Sequence, residues 1–123
     1  MKLMEAINLA DSLIPNGFSV GDKIRWLSEL DGKIKREIIE RHEGHELIPF
    51  SGYDTETDPD TELLAEHPYD GIYIKFIDME INRYNGETAR YNNAASVFEA
   101  AYRDYAAWVN RTKKPIYHGR KYW

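Results

Sequence analysis

The sequence predicts an all-α protein: a small antiparallel helical bundle of about four main helices, built around a C-terminal helical hairpin and interrupted by a long irregular acidic loop. Two periodic runs and the break between them carry this prediction. In the second run, Tyr91, Ala94, Ala95, Phe98, Ala101, Tyr102, Tyr105, Trp108 and Val109 recur at steps of three and four, which lines one side of an α-helix. Asn92, Asn93, Ser96, Glu99, Arg103 and Asn110 fall on the opposite side, so the helix is amphipathic. In the first run, Tyr73, Phe76, Ile77, Glu80, Ile81 and Tyr84 form a similar stripe. Ile72 to Phe76 alone would also fit a strand, but the pattern continues through Tyr84 without a turn residue, beyond the usual strand length. Asn85-Gly86 then supplies a stop and reversal, because both residue types tolerate positive φ.

The remaining elements follow in chain order. Leu3, Ile7, Ala10 and Ile14 predict a first helix over residues 2–14, ended by Pro15-Asn16-Gly17. Ser19 is a suitable N-cap for a second helix running to about Arg41, with Asp22 placed to favour its dipole. Ile24, Leu27, Ile34 and Ile38 make its apolar line, flanked by Trp26 and Leu30. Asp31-Gly32 interrupts that line and reads as a solvated step or slight kink, with a break into two helices as the alternative. Residues 43–60 lose periodicity and form the acidic loop, its start pinned to the body by Leu47-Ile48-Pro49-Phe50. Thr61 could cap a single turn over Glu62–Glu66 before Pro68 opens the hairpin. Glu87 and Thr88 begin the last helix, and Lys113-Lys114-Pro115 ends it. The organisation is thus one helical domain, residues 1–112, and a basic aromatic C-terminal tail, residues 113–123.

Charge distribution says more than the net value of −5. From Arg111 onward there are five bases and no acid, which leaves a net −10 on residues 1–110. A body so acidic repels a phosphate backbone, and any grip on nucleic acid belongs to the tail. No cysteine is present, which excludes disulfides and thiolate metal sites. No apolar run reaches the roughly 18 residues of a membrane span. MKLMEAINLADSL does not read as a secretory signal.

The chemistry-bearing patterns fall short of known requirements. His42-Glu43-Gly44-His45 spaces its histidines by three, where a zinc protease helix needs four, so both are expected as exposed helix-end side chains. Asp54 to Asp60 alternates acids as a calcium loop does, but Pro59 and Ala65 stand where glycine and a bidentate glutamate are needed. The serines lack a nucleophile elbow and no phosphate-binding glycine loop exists, so neither catalysis nor a cofactor is expected. Two features remain. The hairpin has more tyrosines than it can bury, which makes them core rings with wetted hydroxyls or parts of a subunit interface, with Tyr91, Tyr105 and Trp108 the interface candidates. The tail carries Lys113, Lys114, Tyr117, Arg120, Lys121, Tyr122 and Trp123, a set suited to docking on an acidic partner or stacking on single-stranded nucleic acid.

The tracts RYNGETARYNNAASVFEAAYRDYAAWVNRT, Arg83 to Thr112, and EAINLADSLIPNGFSVGDKIRWLSELDGKI, Glu5 to Ile34, resemble small proteins encoded among the virion-assembly genes of tailed phages and prophages of Firmicutes. Those proteins look like head-tail connectors, also called head-completion or adaptor proteins. The resemblance implies an all-α protein that joins a ring beneath the portal protein, extends the channel for DNA passage without specific binding, and offers a platform to tail-proximal adaptor proteins. It implies residence in the host cytoplasm during assembly and then at the virion head-tail junction. A small nucleic-acid-binding or regulatory module acting through the tail is the alternative.

Overall fold

The computed structural model describes residues 1–116, and among these lie four α-helices: α1 Leu3–Leu13, α2 Val20–Glu37, α3 Ile72–Tyr84 and α4 Thr88–Thr112. The fold is all-α, and local chemistry sets each boundary. The Glu5 carboxylate accepts the Lys2 N–H (3.0 Å) at the start of α1. Past its end, Asn16 donates to the Ile14 carbonyl and accepts from Phe18 N–H, closing the turn. Ser19 Oγ accepts the Asp22 N–H (3.0 Å), the expected N-cap of α2. At the hairpin turn Gly86 takes φ 71°, a backbone conformation in which a Cβ would be strained.

α3 and α4 lie antiparallel, as their aromatic and polar pairs show. Arg83 meets Tyr91 near the turn, Phe76 meets Phe98 at mid-length, and Tyr69 meets Tyr105 and Trp108 at the far end. α1 and α2 pack across α3 and complete the core, where Leu3, Ile7, Leu27, Leu30, Ile34, Ile72, Tyr73 and Ile77 are fully buried. Trp26, expected on a flank, is buried too. It is stacked on Tyr84 (5.7 Å between centroids, 5° between planes) and edge-on to Phe18.

Four expectations need correction. α2 ends at Glu37 and a 3-10 turn, Ile39–Arg41, replaces its last turn. α2 passes unbroken through Gly32, but Asp31 is not solvated: it is fully buried. Of the Leu47–Phe50 stretch expected to pin the loop, only Phe50 reaches the body, half-buried over Gly32 and against Tyr53, while Leu47 is 82% exposed. Lys35 Nζ adds the second anchor, donating to the carbonyls of His45 (2.6 Å) and Ile48 (2.7 Å). Lastly, Glu62–Glu66 forms no helical turn. Residues 61–63 pair with the N-terminus, Leu3 N–H donating to Thr61 O and Leu63 N–H to Met1 O, and the chain then bends at Leu64 and Ala65. The amides that a helical turn would use are taken by tertiary partners, Leu64 N–H by the Asp31 carboxylate and Ala65 N–H by Tyr73 Oη.

Candidate functional site

The far end of the hairpin gathers Tyr105, Trp108, Lys113 and Lys114 of the side chains singled out from the sequence. After α4 ends, the chain turns back and pairs antiparallel with the segment that follows the 3-10 turn. Glu43 N–H donates to Lys114 O (2.8 Å) and Ile116 N–H to Arg41 O (3.0 Å), around a bridge between His42 and Pro115. Lys113 and Lys114 are exposed; Lys113 Nζ sits 6.0 Å from the Trp108 ring centroid, and Lys114 Nζ lies 3.9 Å from Glu43. These two predicted tail residues are therefore held at one end of the bundle. Tyr117, Arg120, Lys121, Tyr122 and Trp123 lie outside the described residues.

His42 corrects the expectation of exposed histidines, being only 5% exposed. Its Nδ1 lies 2.7 Å from Ile38 O and its Nε2 3.0 Å from the Asn110 side-chain amide. Facing a carbonyl, Nδ1 donates. On the other side the ring faces Asn110 Oδ1, an oxygen that can only accept. The ring pins the 39–43 turn to α4, a contact that residue spacing does not reveal because the partner is 68 positions away.

The three interface candidates separate. Tyr105 is 2% exposed, a core ring against Tyr69 whose hydroxyl is held above its usual pKa by burial, with Glu66 and Asp31 adding to the effect. A subunit surface at Tyr105 is therefore corrected to core. Trp108 is half-buried and stacks on Tyr69 at 5.0 Å. Tyr91 is half-buried at the opposite end, with its hydroxyl accepting from Arg83 (3.1 Å) and its ring under the same guanidinium. Tyr91 and Trp108 are thus at opposite ends of the hairpin and cannot form a single patch.

Beside the 113–116 ladder lies a groove of about 270 Å³. Its walls are mostly apolar, made by Ile39, Leu47, Ile48, Leu64, Tyr105 and Val109. Glu43, Glu66, His42, His45 and Lys113 supply its polar lining.

A second constellation escaped the sequence reading. Asp31 receives Tyr73 Oη–H on Oδ1 (2.7 Å) and both Tyr53 Oη–H (2.5 Å) and Leu64 N–H (3.0 Å) on Oδ2. Tyr73 Oη in turn accepts the Ala65 N–H (2.6 Å). Burial pushes the Asp31 carboxyl up from its ordinary value, and the three donors pull against that shift. With these bonds made, the carboxylate ties α2, α3 and the 53–65 segment into one unit. The signal was present as an acid on an apolar face, but its partners are 22, 33 and 42 positions distant.

The acids of the loop are used locally: Asp54 Oδ1 accepts the Glu56 N–H and Asp58 Oδ1 the Asp60 N–H, both at 2.8 Å. No family model, curated protein or solved structure matches the chain.

Proposed function

We propose that this chain is a structural adaptor of the head-tail connector kind, binding a portal protein through protein contacts and lengthening the DNA channel as part of an oligomeric ring. The observation that carries the reading is the contrast in charge along the chain: a body of net −10 over residues 1–110, followed by bases of which Lys113 and Lys114 are exposed at the far end of the hairpin. An acidic body lines a channel without gripping DNA, while a basic end seeks an acidic protein surface. The resemblance of Glu5–Ile34 and Arg83–Thr112 to connector proteins supports the same reading, and those tracts supply most of α1 and α2 and all of α4.

The experiment mixes the purified chain with portal rings of a related phage and images the product. A ring stacked coaxially on the portal is the expected result. If no stacked ring forms, and the chain instead binds single-stranded DNA with an affinity that removal of residues 117–123 abolishes, the nucleic-acid reading replaces it.

A further inference from the structure

We propose that the groove beside His42 receives the C-terminal segment, residues 117–123, of a second copy of this chain, an inference that rests on the adaptor reading for the meaning of the contact. The groove offers Leu47 and Ile48 to water, 82% and 41% exposed on one short turn, next to walls of Ile39, Leu64 and Val109. Apolar side chains this exposed at a concave site match an aromatic occupant, which fills area with few rotatable bonds. Within the lining Glu43 and Glu66 outnumber Lys113, and with Glu46 on the exposed turn they match a basic occupant.

The sequence contains such a segment. Residues 117–123 read YHGRKYW, with three aromatic rings, Arg120 and Lys121. Fully extended they reach about 23 Å, enough to lie across the groove and project beyond it.

The ladder favours a second copy over the same chain. Its antiparallel register sets Lys114 beside Glu43, Pro115 beside His42 and Ile116 beside Arg41. At Ile116 the backbone is therefore leaving the ladder past Arg41, opposite to the course the chain takes from Glu43 on to Leu47 and Ile48. A groove on one copy and a segment on the next make a heterologous contact, the kind that closes into rings.

The test titrates a synthetic peptide of residues 116–123 into the chain truncated after Ile116 and follows the amide and methyl NMR signals. Shifts concentrated at Ile39, Leu47, Ile48, Leu64 and Val109 are expected. Leu47→Asp, at an exposed position that leaves the fold intact, should weaken peptide binding by about tenfold, as loss of one apolar anchor does. The full-length chain should also self-associate with rising concentration in sedimentation, and the truncated chain should not. Absence of those shifts, or shifts confined to other surfaces, overturns the proposal. So does a full-length chain that stays monomeric and refuses the peptide, since its own segment would then fill the groove. Portal stacking separates the two claims: stacking without peptide binding sinks this inference alone, and peptide binding without stacking sinks the adaptor reading alone.

Discussion

Burying Asp31 among two phenols and a peptide N–H makes the stability of the fold depend on the state of one carboxyl group. Its carboxyl titrates higher in the folded protein than in the unfolded chain because burial outweighs the donors. The folded state thus holds its proton more readily between the two pKa values, and the stability this contributes is fully present below about pH 3.9 and declines as pH rises above it. Urea midpoints measured from about pH 4 to about pH 7 should show this decline in the wild type relative to Asp31→Asn, which cannot titrate. A difference between the two proteins that stays flat with pH would contradict the assignment. Replacing the carboxylate outright is more severe: Asp31→Ala leaves Tyr73 Oη–H and Leu64 N–H buried without an acceptor and should cost about 3 kcal/mol or more in chemical denaturation. Tyr53→Phe removes one donor at a half-buried site and should cost about 1.5 to 3 kcal/mol, the range for a bond to a charged group.

Among the elements, the hairpin was the most legible part of the sequence, because its periodicity is local and its turn chemistry is explicit. Ala94, Phe98, Tyr105 and Val109, the buried residues of α4, all lie in the predicted stripe. Phe98 sits between Phe76 and Tyr102 (centroids 5.1 and 5.7 Å), so Phe98→Ala should cost about 3 to 5 kcal/mol by thermal or urea unfolding. A loss under about 1 kcal/mol would mean the ring is not core. The long loop was least legible. Its anchors are Lys35 reaching two carbonyls, Tyr53 reaching Asp31 and Ser28, and residues 61–63 lying along the N-terminus. None of these leaves a periodic trace in the loop itself, since each depends on a partner outside it.

For the whole molecule, the tail divides where the ladder ends. Lys114 and Ile116 contribute two backbone hydrogen bonds to residues 41–43, so truncation after Thr112 should destabilise the fold by about 1 to 3 kcal/mol. Truncation after Ile116 keeps both bonds and should leave the melting temperature unchanged while removing the charge and aromatic groups proposed to make contacts. Scanning calorimetry of the two truncations checks this, and equal melting temperatures would show that the ladder adds no stability. The distinction matters for any assembly assay, because only the shorter deletion separates loss of docking from loss of fold.

The sequence by itself determined the helical class, the hairpin and its turn, the Ser19 cap, and the contrast between an acidic body and a basic end, since each depends on neighbours within a few residues or on plain counts of charge. Only the tertiary structure decided that Asp31 is a buried hub, that His42 is a pin instead of an exposed side chain, that Tyr105 is core, and that Leu47 stands at the mouth of a groove. Those outcomes depend on groups tens of residues apart arriving at one place. There, low dielectric makes a buried polar group costly without partners, and packing decides which apolar side chains are left to water.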